Sequence, residues 1–235
     1  MESAADLIFA ILLVGAAALS LPIGAALATG RDEPAPVNAA ITAFGGGALL
    51  SAVDLVLVPE GAANLPGWLA CVLLLAGGAT FFAVDQALSR TGGAAGQLLA
   101  MLLDYLPEAV ALGAMIIVDR ATAWVLAAMI FLQNVPEAYA AVRALLQNHG
   151  MSRQRLLLIF SGLALLGPIC AVAGLIWLAD APGILGGIMV FAAGGVLYLI
   201  FEDVAPEASD RVDRRPPLGA VAGFALGLAG HLIAG

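Results

Sequence analysis

Residues 156–178 read LLLIFSGLALLGPICAVAGLIWL, a run of 23 residues with no charged side chain. A helix needs about 20 mostly apolar residues to cross the hydrocarbon core of a bilayer. Seven further stretches of this kind occur, and the links between them are short and rich in turn residues. The eight stretches are Leu7–Ala28, Val37–Val58, Trp68–Leu88, Gln97–Val118, Ala123–Val142, Leu156–Leu178, Ile184–Ala205 and Leu218–Ala234. Because none shows the period-2 alternation of a barrel strand, the sequence predicts an all-α membrane protein with eight transmembrane helices in one domain, residues 1–235.

Composition excludes several other classes of protein. The chain is 62% hydrophobic and 11% charged, with a mean hydropathy of +1.03. A soluble domain would be about a quarter charged, so this chain has too few polar residues to form a polar shell. Its nine cations are all arginine, and its net charge of −8 has the wrong sign for binding phosphates. These values argue against a soluble enzyme, a disordered chain and a nucleic-acid-binding protein. They predict that the chain is surrounded by the lipid bilayer.

The distribution of arginine predicts the orientation. Cytoplasmic loops of membrane proteins carry an excess of positive residues. The links after even-numbered stretches contain only Arg120, whereas those after odd-numbered stretches contain eight arginines. The eight are Arg31, Arg90, Arg143, Arg153, Arg155, Arg211, Arg214 and Arg215. We therefore expect the odd-numbered links to face the cytoplasm of a plasma (inner) membrane, with both termini outside.

The second and seventh stretches share a pattern that predicts an internal repeat. One begins FGGG at Phe44 and reaches Pro59, and the other begins FAAG at Phe191 and reaches Pro206. The spacing from phenylalanine to proline is 15 residues in both, and each proline is followed by glutamate. Because the copies are offset by five helices, an odd number, they cross the membrane in opposite directions, as in an inverted-topology repeat. The predicted arrangement is 3+2+3, with helices one to three repeated as six to eight.

The two middle helices carry the chemistry. The fourth contains DYLPE at 104–108 and the fifth contains QNVPE at 133–137. Residues four apart share one face of a helix, so each motif presents two polar groups together. Each also contains a proline, which removes one backbone hydrogen-bond donor from the helix. Neighbouring helices are antiparallel, so the two motifs should face each other near the middle of the membrane.

Charge inside the membrane must be compensated. An ionised carboxylate at the bilayer centre costs about 3 kcal/mol on insertion scales, and the two motifs hold three carboxyl groups. The predicted middle spans contain no arginine that could neutralise them. Protons or a metal cation remain. We expect protons to neutralise the carboxylates while the site is empty, because bare charges are too costly there. Converging carboxylate, amide and carbonyl oxygens suit a divalent cation in the occupied site. The alternative is that these groups only hydrogen-bond one helix to another.

These residues resemble the ZIP (Zrt/Irt-like) family of divalent metal transporters. In that family the fourth and fifth helices carry motifs of the type His-Asn-x-Pro-Glu-Gly, and eight helices with both termini outside are the family's topology. The resemblance covers nearly the whole chain. The matching segments are AFGGGALL at 43–50, DYLPEA at 104–109, QNVPEA at 133–138, SGL at 161–163, AAG at 192–194 and EDVAPE at 202–207.

The resemblance implies roles for individual residues. The transport-site ligands would be Asp104, Glu108, Gln133 and Glu137. Tyr105 and Asn134 occupy the positions of second-site ligands. Glu202 and Asp203 would form an exit-side metal site, with an ordinary charged helix end as the alternative. Asp54 is a candidate for the ion path because it lies deep inside the second stretch.

This chain also departs from the family pattern. Asp104 stands where many members have histidine, and Tyr105 replaces asparagine. Where the sixth helix of the family often has glutamate followed by proline, this chain has Leu165 and Leu166. A bridging carboxylate is therefore missing, which predicts a single-metal site. The remaining ligands are nearly all oxygen, which favours harder ions such as manganese or ferrous iron, although zinc also accepts carboxylates.

The predicted function is that of a ZIP-like secondary transporter, not an enzyme. It would move a divalent metal ion (zinc, with iron, manganese and cadmium as further candidates) into the cytoplasm, with the metal as substrate and no resident cofactor. The chain contains neither His-Glu-x-x-His nor Gly-x-Ser-x-Gly. Two alternatives stay open: a transporter of another solute that uses the carboxylates as proton carriers, and a metal-sensing membrane protein that transports nothing. A homodimer is also left open.

Overall fold

The protein is all-helical in its described part. The structure, a computed structural model, describes residues 4–30, 34–89, 94–208 and 215–234, and those residues contain no strand. Each of the eight apolar stretches lies within one helix, so the all-helical fold class is confirmed. The helices are α1 (Ala4–Ala28), α2 (Ala35–Ala62), α3 (Gly67–Ser89), α4 (Ala94–Val118), α5 (Arg120–His149), α6 (Arg153–Leu178), α7 (182–208) and α8 (Leu218–Ala234).

Length and surface composition suit a bilayer. Within the described ranges, six helices are long and apolar enough to cross a membrane, namely α1, α2, α3, α5, α6 and α7. Two shorter apolar helices complete the set, Tyr105–Val118 within α4 and Leu218–Ile233 within α8. Large apolar side chains such as Trp177 and Ile233 are exposed on the outside of the bundle. Extended apolar surface of this kind is rare on soluble monomers and suits contact with lipid.

Two helices are interrupted at a leucine. α1 consists of Ala4–Ala18 and Ser20–Ala28, and α6 consists of Arg153–Ala164 and Leu166–Leu178. In both, a proline follows three residues after the interruption, Pro22 in α1 and Pro168 in α6. Proline cannot donate to the carbonyl four residues earlier, so the helical hydrogen-bond pattern fails there. The interruptions therefore follow from the sequence.

Two other helices contain a wider π turn at matched positions. In α2 the π turn covers Val53–Leu57, and in α7 it covers Ile200–Val204. Each begins nine residues after the phenylalanine of the repeated pattern and ends two residues before its proline. Single π turns are rare in proteins, and many of those that do occur lie at functional sites. The shared spacing thus extends from sequence to backbone geometry.

Glycine contacts divide the eight helices into two groups. α4 packs closely against α6 because Gly113 leaves no room for a Cβ next to Ala171, and α1 packs against α5 at Gly24. In the same way α8 packs against α2 at Gly223, and α7 against α3 at Gly194. Small residues allow such close backbone approach between apolar helices. The first group is α1, α4, α5 and α6; the second is α2, α3, α7 and α8.

The two groups meet where α5 packs on α2 and α8, and where α4 packs on α7. At the α2–α5 contact, a Cβ on Gly45 would lie 2.8 Å from Cγ of Pro136. The proline of the QNVPE motif therefore lies directly on the surface that separates the groups.

Candidate metal-binding site

The start of α5 is fixed by a cap and an ion pair. Asp119 is the single residue between α4 and α5, and its carboxylate accepts from the backbone N of Ala121 at 2.9 Å and from Oγ1 of Thr122 at 2.6 Å. Satisfying free helix N–H groups in this way stabilises a helix start. The Thr122 hydroxyl, with smaller help from the backbone, holds the pKa of Asp119 below its usual value. Arg120 pairs with Asp6 of α1, so α5 is also attached to α1.

The two central motifs meet in the core. Nε2 of Gln133 donates to Oε1 of Glu108 at 2.7 Å and to Oε2 at 2.6 Å. Both side chains are completely buried. Helices α4 and α5 each continue through their proline, Pro107 and Pro136, so the motifs stay on regular helix faces. The antiparallel pairing of α4 and α5 thus places a carboxylate and an amide in direct contact.

Several buried oxygen and nitrogen atoms in this region have no hydrogen-bond partner. They are Oε1 of Gln133 and both Oδ1 and Nδ2 of Asn134. Asn134 is 1% exposed, so water cannot solvate its amide from the surface. A buried polar group without a partner costs about 1–3 kcal/mol. Such groups call for an explanation beyond packing, and a bound cation would supply one for the two oxygens.

The other predicted ligands are placed differently. Glu137 is half-buried, one turn after Gln133 on the same face of α5. Tyr105 is buried, and its hydroxyl donates to the carbonyl of Ala164 at 3.4 Å, beside Gly167. That carbonyl is the one that Pro168 deprives of its helical partner. Tyr105 therefore covers the interruption of α6, and its role as a second-site ligand stays a prediction.

Two of the proposed path residues, Asp54 and Glu202, are exposed, unlike the buried pair Glu108 and Gln133. Asp54 lies in the π turn of α2, and Glu202 lies in the π turn of α7. The side chains of Asp104 and Asp203 lie outside the part of the chain that the structure describes. Among the side chains that are described, no three of histidine, cysteine, aspartate and glutamate come together as metal ligands. Leu165 is 67% exposed at the interruption of α6, directed away from the core.

Two features of the site region were missed in the sequence. α5 continues beyond Val142 to His149, so Arg143 belongs to the same helix as the QNVPE motif and is half-buried. Tyr139 donates from its hydroxyl to Oδ1 of Asn38 at 2.6 Å, which joins α5 to α2. The position of Tyr139, two residues after Glu137 in an otherwise apolar segment, was the available sign of the second feature.

No family model matches this chain, and no curated protein matches it either. The assignment of function therefore depends on the residues and their geometry.

Proposed function

We propose that this protein is a ZIP-like secondary transporter that moves divalent metal cations into the cytoplasm through a single site between α4 and α5. The observation that carries the proposal is the buried contact of Glu108 with Gln133, beside buried amide oxygens that have no partner. Ionisable residues inside apolar helices are costly and mark ion or proton paths. A bound cation would give the two buried amide oxygens, Oε1 of Gln133 and Oδ1 of Asn134, the partner that they lack in the structure.

The oxygen ligands that the site offers favour hard or borderline metal ions. Glu108 offers two carboxylate oxygens, and Gln133 and Asn134 each offer an amide oxygen. The proposal adds Asp104 and Glu137 as further oxygen ligands. Oxygen ligands suit manganese and ferrous iron, whereas imidazole suits zinc, so the zinc preference should be weaker than in a histidine-bearing site. Zinc and cadmium remain within the proposed range of substrates.

The contact between Glu108 and Gln133 suggests how the site binds its ion. In the structure, the amide nitrogen holds both oxygens of the carboxylate. A cation that binds Glu108 has to displace this donor. Rotation of the amide would then direct Oε1 of Gln133 toward the ion, because an amide presents a donor on one side and an acceptor on the other. In this proposal Gln133 stabilises the empty site and becomes a ligand in the occupied one.

The packing of the helices suggests which parts move. α1 and α6 pack with the site helices α4 and α5, whereas α2, α3, α7 and α8 pack with one another. The proposed inverted repeat is supported by the matched interruptions of α1 and α6 and the matched π turns of α2 and α7. Displacement of one group against the other would expose the site alternately to each side. At 100 mV, inside negative, a divalent ion gains about 4.6 kcal/mol on entry, so uptake needs no ATP.

Metal uptake into proteoliposomes tests the proposal. We expect saturable uptake of one or more of zinc, cadmium, manganese and ferrous iron by the native chain. Glu108→Gln should abolish uptake, whereas Glu60→Gln, an exposed glutamate at the end of α2, should not. Uptake that survives Glu108→Gln would contradict the site. Metal-independent, pH-driven flux would identify the proton-carrier alternative, and metal binding without any flux would identify the sensor.

A further inference from the structure

A tyrosine of the site helix is hydrogen-bonded across the boundary between the two helix groups. The hydroxyl of Tyr139 on α5 donates to Oδ1 of Asn38 on α2 at 2.6 Å, and Tyr139 is almost completely buried. α5 belongs with α1, α4 and α6, whereas α2 belongs with α3, α7 and α8. A displacement of one group along this surface by more than about 1 Å would lengthen this bond beyond hydrogen-bonding distance.

The bond lies on one side of the metal site. Along α5, Tyr139 follows the QNVPE motif and precedes Arg143, on the side of the arginine-bearing link that is predicted to be cytoplasmic. Along α2, Asn38 lies in the first turns of the helix, seven residues before Gly45. Gly45 is in close contact with Pro136, so the two helices are packed from the site to this end.

We propose that the Tyr139–Asn38 hydrogen bond is a latch that keeps the cytoplasmic side of the site closed. The pair provides a directional interaction between α2 and α5 that forms only in the closed arrangement. Removing one hydrogen bond of this kind shifts a two-state equilibrium by about 1 kcal/mol, which corresponds to about a fivefold change in population. The proposal rests on the proposed function for the identity of the moving parts, but its test does not need transport.

The chain offers a matched control. Tyr198 of α7 donates to Oδ2 of Asp85 on α3 at 2.9 Å, also in a half-buried position between helices. α3 and α7 belong to the same group, so this bond does not cross the boundary. Tyr139→Phe and Tyr198→Phe each remove one phenol hydroxyl from a helix contact. Only the first removes it from between the groups.

The measurement is the labelling rate of a cysteine at Ile41. This half-buried residue lies on α2 three residues after Asn38 and four before Gly45, on the same helix face. Ile41→Cys would be placed in a chain with Cys71→Ser and Cys170→Ala, and labelled by a charged methanethiosulfonate in inside-out vesicles. We expect Tyr139→Phe to raise the rate about three- to tenfold and Tyr198→Phe to leave it unchanged.

Equal labelling rates in the two tyrosine variants would overturn the latch. If Tyr139→Phe does not fold, Asn38→Leu removes the acceptor instead and should raise the rate to the same extent. A latch that opens as expected in a protein that shows no metal flux would support this inference while refuting the proposed function. Normal metal flux together with an unchanged labelling rate in Tyr139→Phe would refute the latch and support the proposed function.

Discussion

Replacement of Gln133 by leucine, which is similar in size, tests whether Glu108 is held as an ionised carboxylate. The substitution removes both hydrogen bonds to a fully buried carboxyl group. An amide that donates to both oxygens stabilises the ionised form, because a protonated carboxyl would direct one hydrogen of its own toward that nitrogen. We therefore expect Gln133→Leu to destabilise the empty protein chiefly through Glu108.

The size of the coupling energy between Gln133 and Glu108 distinguishes a hydrogen-bonded carboxylate from an ordinary hydrogen bond between membrane helices. Hydrogen bonds to charged groups contribute about 1.5–3 kcal/mol. Hydrogen bonds between membrane helices average only about 0.6 kcal/mol in double-mutant cycles. With two donations to one buried carboxylate, we expect a coupling energy of about 2 kcal/mol between Gln133 and Glu108.

The assay is a double-mutant cycle on the free energy of unfolding, measured in mixed micelles with added SDS and without metal. The variants are Gln133→Leu, Glu108→Leu and the double substitution, compared with the native chain; leucine at 108, unlike glutamine, cannot hydrogen-bond Gln133. A coupling energy near 0.6 kcal/mol or below would refute the reasoning. It would mean that the carboxyl group is protonated in the empty site, as the cost of a bare charge in the membrane predicts.

Three further predictions concern neighbouring residues. Gly167→Ala should lower the free energy of unfolding by about 1–3 kcal/mol, because an added Cβ meets the hydroxyl of Tyr105. Tyr105→Phe should lower it by less than about 1 kcal/mol, because the hydrogen bond that it removes is long. Unfolding in mixed micelles would measure both variants, and a larger loss for Tyr105→Phe than for Gly167→Ala would contradict the packing. Because the pKa of Asp119 is lower in the folded state than in the unfolded state, its ionised carboxylate stabilises the fold above the unfolded-state pKa, and this stabilisation is lost as pH falls through the folded-state pKa. Asp119→Asn should therefore reduce the loss of stability at acidic pH in a profile of melting temperature against pH. An unchanged profile at acidic pH would disprove this. Gln133→His should shift competition between zinc and manganese uptake toward zinc, and an unchanged ratio would argue against Gln133 as a ligand.

The sequence was sufficient for the helices because a bilayer imposes a length and a composition that can be counted. It was less informative where helices extend beyond the apolar core. Hydropathy predicts that the fifth apolar stretch ends at Val142, yet α5 continues through Arg143 to His149, because polar residues lower hydropathy without ending a helix. The π turns were also missed, since they shift the backbone by one residue and leave no mark on composition.

The neighbours of each helix could not be read from the sequence. Hydropathy shows that a helix is buried in lipid or protein, but every side of such a helix is apolar. The grouping of α1 and α6 with α4 and α5 comes from contacts such as Gly113 with Ala171. The contact of Glu108 with Gln133 could be anticipated because consecutive helices are antiparallel, but its detail, one nitrogen to two oxygens, could not.

The seam between α2 and α8 limits how this chain can vary over evolutionary time. At Gly47, Gly219 and Gly223 a Cβ would overlap the backbone of the opposite helix, which cannot move aside as a flexible side chain can. Gly162 and Gly183, by contrast, have no neighbouring atom within 4 Å of such a Cβ. The apolar residues that face outward can drift freely among leucine, isoleucine, valine and phenylalanine. In related sequences glycine should therefore persist along the seam long after the outward surface has lost all recognisable similarity.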